Sequence, residues 1–181
     1  MSKADPNYAP LLLCVDPDEE PWSARELLSL ARGMAAWEWA DPHRRKHLPS
    51  LVEFTGDEHS CDVIVRWEDD MGMTDVEVED KTAGDVTRPV PILGSVDKDL
   101  TGQEKVILRL SRKIFTEVDA TNWSRAAQHE IGHCLGLRHS HKGIMVSGIG
   151  VNPAIITQRN REDAAVLRLT GVIGVDSYEG N

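Results

Sequence analysis

The sequence predicts an α/β (α+β) fold with strands and helices in one domain. Three observations carry this. Residues 61–67, CDVIVRW, alternate as a strand does: Cys61, Val63, Val65 and Trp67 face one way, Asp62, Ile64 and Arg66 the other. Within residues 22–39, Leu27, Leu30, Met34 and Trp37 recur at steps of three and four, the period of an amphipathic helix. Residues 120–137 return to that period after further strand-like runs. A length of 181 residues, 40% hydrophobic and 28% charged, suits one domain with a sizeable core.

The elements follow in order. Residues 1–10 are polar, hold two prolines and form a flexible N-terminus. Residues 11–15 make a first strand. Asp16 to Pro21 is a turn, and its acids suit the start of the helix over 22–39. Asp41-Pro42 ends that helix. Residues 51–54 form a short second strand, and 61–67 a third. Residues 68–88 are acidic and turn-rich, with Val76 and Val78 placed for a small ribbon. Residues 90–96 form an edge strand, because Pro91 lacks a ladder donor. Residues 106–110 are a strand and 120–137 a helix. Residues 138–156 have no regular period. Residues 160–169 form a closing helix that ends at Thr170-Gly171. The domain therefore spans 11–171, with 172–181 as a tail.

The net charge is 20 − 30 = −10. Such a surface disfavours nucleic acid and anionic membranes as partners. The one basic run, His43 to His47, reads as a solvated loop. No charged start leads into a long apolar stretch, so a cytoplasmic location is expected. Cys14, Cys61 and Cys134 are scattered and odd in number, which suits buried thiols over disulfides.

The chemistry concentrates in 126–145, AAQHEIGHCLGLRHSHKGIM. His129 and His133 are four residues apart, so on a helix they stand one turn above the other, about 40° apart around the axis. Both can reach one ion. A catalytic zinc site takes three protein ligands and keeps one position open. Gly136 can adopt a left-handed conformation, stop the helix and bring His139 back towards the ion. Glu130, beside a ligand, is the general base. His141 is read as a loop residue and Cys134 as a small buried one. Met145 is read as an apolar floor beneath the imidazoles. The expected cofactor is one Zn2+.

The motif HEIGHCLGLRH with Ser140 and GIM resembles that of the metzincin metallopeptidases, and the matrixin branch most. The resemblance extends to the helix ending in Ala-Trp, to CDVIVRW, to VILRLSRKIF with Trp123, and to ITQRNREDAAVLRLTG. It implies a twisted five-stranded mixed sheet over two long helices, with a cleft under an antiparallel edge strand. It places Pro91, Ile92, Leu93 and Gly94 on that strand, pairing with an extended peptide or protein substrate. It also implies an apolar specificity pocket, with Ile149, Val151, Ile155 and Ile156 among its lining. Met145 is followed here by Val146-Ser147 where matrixins carry Tyr-Pro. Ser147 stands where related families place a tyrosine, as a substrate hydrogen-bond donor. No Pro-Arg-Cys-Gly segment precedes the domain, and His59 is alone where the family has a structural zinc set. Asp69, Asp70, Asp75, Glu77, Glu79 and Asp80 offer oxygens to calcium, though a solvated acidic loop is the better reading. The expected function is zinc-dependent endopeptidase. The alternatives are a non-hydrolytic zinc-containing binding module and a zinc amidase acting on a cell-wall peptide. Oligomeric state is not legible.

Overall fold

Alternating apolar residues on three neighbouring strands set the core. Leu11, Leu13, Val63, Val65, Val106, Leu108 and Leu110 are all buried. Each such side chain contributes about 1.5–3 kcal/mol by leaving water. The computed structural model describes residues 7–16, 21–98, 105–113, 124–140, 143–146, 155–171 and 173–174. The elements are β1 (Leu11–Val15), α1 (Ala24–Ala36), α2 (Pro42–Arg45), β2 (Val52–Phe54), β3 (Val63–Glu68), β4 (Met73–Asp80), β5 (Gly84–Pro91), β6 (Gly94–Lys98), β7 (Val106–Ser111), α3 (Arg125–Cys134), a 3-10 turn (Gly143–Met145) and α4 (Gln158–Thr170).

The main sheet runs β2-β1-β3-β7-β6. Its first four strands are parallel, and β6 is an antiparallel edge. With α3 carrying the histidine-rich stretch and α4 closing the chain, this is the mixed α/β (α+β) arrangement expected.

Helix α1 begins in a capping box. Ser23 Oγ accepts from the Glu26 amide, and the Glu26 carboxylate accepts from the Ser23 amide. It ends at Ala36, with Trp37 as the cap, earlier than residue 39. Trp39 instead ties down the N-terminal approach to the sheet. Its Nε1–H donates to the Tyr8 hydroxyl at 2.7 Å, and that hydroxyl donates to the Pro49 carbonyl. Helices α1 and α3 pack closely at Gly33, where an added Cβ would lie 2.8 Å from Ala127 Cβ. Arg161 on α4 donates to the carbonyls of Ala36, Glu38 and Ile156, so it fastens α4 to the end of α1. His43, Arg44 and Arg45 lie on α2, not in a loop, and Arg44 pairs with Glu162 on α4 at 2.8 Å.

Two further expectations are corrected. The expected strand over 90–96 is split. Residues 84–91 form β5, paired with β4 in a two-stranded ribbon, and the edge strand starts only at Gly94. Pro91 ends the ribbon opposite Met73, at the last paired position, where a missing amide donor is tolerated. The acidic 68–88 region is thus a long hairpin turned at Asp80, whose side chain accepts from the Thr82 and Ala83 amides. The second correction concerns Cys14 and Cys61, which form a disulfide and are not free thiols. They lie 47 residues apart, but parallel pairing of β1 with β3 brings their Cα atoms to 5.8 Å. Cys134 remains a free, buried thiol. Denatured without reductant, the protein is expected to show one reactive thiol, and three after reduction. A count of three before reduction would refute the pairing.

Candidate metal centre

Helix α3 places His129 and His133 one turn apart on the same side, and both are buried. The helix stops at Leu135. Gly136 then takes φ 94°, in the left-handed region that glycine enters without strain. The Gly136 amide donates to the His133 carbonyl and the Leu137 amide to the Gly132 carbonyl, both at 2.9 Å. This is a Schellman turn, and it reverses the chain towards His139. The Ser140 amide, donating to the Met145 carbonyl, holds the returning segment against the 3-10 turn.

The three imidazoles converge. Nε2 of His133 lies 3.0 Å from Nε2 of His129 and 3.2 Å from Nε2 of His139; His129 and His139 are also 3.2 Å apart. The protons on two rings are fixed by their other nitrogen. His129 Nδ1–H donates to the Ile144 carbonyl and His133 Nδ1–H to the Leu137 carbonyl, each at 2.7 Å. A carbonyl only accepts, so Nδ1 carries the hydrogen and Nε2 carries a lone pair. Lone pairs facing one point repel unless a cation sits among them. A tetrahedral ion held at ~2.1 Å sets its ligand atoms about 3.4 Å apart, close to the separations found. Among the described residues, these three histidines form the one group suited to hold a metal ion. Burial pushes His129 down to about 3 and His133 to about 4, and lowers His139 too. All three are therefore neutral and able to bind metal at neutral pH.

Glu130, next to His129 along α3, packs against Gly94 at the start of β6. It is buried, and its Oε2 has no hydrogen-bond partner among the described residues. Burial, with a smaller push from Asp97, raises it to about 8. A divalent cation nearby would favour the ionised form and lower that value.

The turn at Gly143–Met145 braces the site from the other side. Gly143 has φ 74°, and a Cβ there would meet Asn160 Oδ1 at 2.6 Å. Asn160 belongs to the capping box of α4 with Thr157. Met145 is fully buried against the helix at Gly132, where an added Cβ would lie 2.3 Å from Met145 Sδ and 2.9 Å from Trp37 Cζ2. Trp37 Nε1–H donates to the Gln128 carbonyl at 2.8 Å, just before the first histidine.

The expected site residues are thus distributed as follows. His129, His133 and His139 come together, Glu130 adjoins them, and Gly136 makes the turn. Of Pro91, Ile92, Leu93 and Gly94, only Gly94 lies on the edge strand, and it touches Glu130. Ile92 and Leu93 are the approach to it: the Ile92 amide donates to Gly72, and the Leu93 carbonyl accepts from Ser111. Ser147, His141, Ile149 and Val151 lie outside the described residues. Ile156 is buried and Ile155 is 67% exposed. Sequence reasoning missed Gly132 and Trp37. A glycine inside a helix costs about 1 kcal/mol against alanine, and that unexplained cost was the available signal for Gly132.

Gly132→Ala is expected to destabilise the protein by about 1–3 kcal/mol despite better helix propensity, because Met145 and Trp37 leave no room. Denaturant unfolding checks this. The metal-free protein also has a defined pH signature. Glu130 titrates at about 8 when folded against 4.5 as a free side chain, so folding holds a proton that the unfolded chain releases. Stability is lost on this account as pH rises from 4.5 through about 8. His129 and His133 act oppositely, with stability lost as pH falls from 6.5 through about 4 and then 3. Glu130→Gln is expected to stabilise the metal-free protein increasingly from pH 4.5 to 8, read from thermal unfolding. An advantage independent of pH would contradict the burial of this acid.

Compared with known proteins, the chain matches no family model and no curated protein. The histidine triad at the spacing HExxHxxGxxH, the adjacent glutamate and the mixed sheet with its antiparallel edge support a metzincin-type zinc-peptidase fold.

Proposed function

We propose that this chain is a zinc-dependent endopeptidase of matrixin-like type. The observation that carries the reading is the Nε2 triangle beside a buried, unpartnered carboxylate. His129, His133 and His139 would hold the ion through Nε2. A zinc ion there would supply Lewis acidity for a peptide carbonyl and for the attacking water. Glu130 moves the proton: its carboxylate takes one from the attacking water and passes it to the departing amine nitrogen. Ile144 and Leu137 keep the imidazoles in the binding tautomer through their carbonyls. Met145 forms the apolar floor, and Gly136 places the third ligand. Among the described residues β6 is the outermost strand of the sheet, the position at which an extended peptide would add by strand pairing, which suits cleavage within a chain. Ser147 is the proposed hydrogen-bond donor to that substrate. Calcium has no assigned site. Asp69 and Asp70 pair with Arg112 and Lys113, and Asp80 closes the hairpin turn.

Among the described residues no helix is long and apolar enough to cross a membrane. The Cys14–Cys61 disulfide favours an oxidising compartment over the cytoplasm expected from the sequence.

The test is metal analysis with a cleavage assay on a mixed pool of unstructured peptides. About one zinc per molecule is expected, with hydrolysis reduced at least ~100-fold in Glu130→Ala and zinc retained. His139→Ala is expected to weaken zinc binding. Unchanged affinity in that variant would overturn the ligand set, and zinc without cleavage would favour a binding module.

A further inference from the structure

We propose that Gly94 is the positioning residue for the Glu130 carboxylate, which is aimed by shape and not by hydrogen bonding. The catalytic consequence rests on the peptidase reading above; the contact itself does not. An added Cβ on Gly94 would lie 2.4 Å from Glu130 Cγ, 3.0 Å from Cδ and 3.2 Å from Oε1. The contact therefore runs along the glutamate side chain, from the methylene to the carboxylate. Gly94 is not in the left-handed backbone region, so conformation does not demand glycine here. Space does.

Oε2 is buried and meets no donor among the described residues, so no described polar contact fixes its direction. The wall that does is the β6 backbone at Gly94. That wall is held firmly. Gly94 is in register with Leu110 of β7, the Ser111 amide donates to the Leu93 carbonyl, and the Ile92 amide donates to Gly72. The strand is tied on both sides of the contact, so a methyl group at 94 must turn Glu130 away or strain the edge. Either outcome misplaces the proton acceptor, while the imidazoles, held by Ile144 and Leu137, stay in place.

A double-substitution cycle on the zinc-loaded protein tests this. Gly94→Ala is expected to lower Tm by roughly 4 °C or more when Glu130 is present. In the Glu130→Ala background, where Cγ is gone, the same change should cost less than about 1 °C. Zinc per molecule should be equal in all four proteins. On a single peptide cleaved by the unsubstituted protein, Gly94→Ala should lower kcat about tenfold or more, with KM within about threefold. Equal Tm losses in both backgrounds, or an unchanged kcat, would overturn the proposal. Failure of the unsubstituted protein to cleave any peptide would sink the peptidase reading, and the stability cycle would still decide whether Gly94 seats Glu130.

Discussion

Three imidazole Nε2 atoms at 3.0–3.2 Å from one another are held in an arrangement that neutral rings do not choose for themselves. Their lone pairs face a common point. Two of the rings cannot escape by changing tautomer, because the carbonyls of Ile144 and Leu137 hold their Nδ1 protons. The backbone thus decides the chemistry of the side chains. Leu137 can do so only because Gly136 reverses the chain, and Ile144 only because the 3-10 turn sits beneath the helix.

That turn depends on distant parts of the fold. Arg161 fastens α4 to the end of α1. The α4 capping box of Thr157 and Asn160 abuts Gly143, and the Gly143 turn carries the Ile144 carbonyl. Helix α1 fixes α3 through the close approach at Gly33, its cap Trp37 and Met145 close on Gly132, and β6 closes on Glu130 at Gly94. Three glycines serve by having no side chain: Gly33 admits Ala127, Gly132 admits Met145, and Gly94 admits Glu130. A metal centre built on a helix, a reversed loop and a remote turn needs these separate pieces registered to a fraction of an ångström.

The triad was legible because its information is local. His129, His133, Gly136 and His139 lie within one turn-and-return of chain, and helical geometry alone brings the first pair together. The parallel strands were legible for a similar reason: CDVIVRW has its own period of two, and its burial alternates as expected. What the sequence hid was pairing at long range. Nothing near Cys14 announces Cys61, which becomes its neighbour only once β1 and β3 are side by side. The 84–98 stretch hid a boundary: Pro91 excludes a central strand but fits the end of a ribbon as well as an edge, so the edge strand was placed too early. Gly94 was singled out for the substrate cleft, but only the packed structure shows that it touches Glu130.

The burial of Glu130 completes the electrostatic logic. A carboxyl group held without a partner on Oε2 is unfavourable when ionised, and desolvation keeps it protonated in the absence of compensating charge. The adjacent imidazoles are also held against their own preference, as neutral bases with converging lone pairs. Either feature alone would be a defect in a small domain. Together they have one remedy, because a single divalent cation attracts the lone pairs and lowers the carboxyl pKa. A structural histidine cluster would need no buried acid next to it, and a buried structural acid would find a donor. The coincidence of both, where α3 passes beneath the sheet edge, is what supports the proposed reading, in which an ion would complete the site and Glu130 would turn metal binding towards proton transfer.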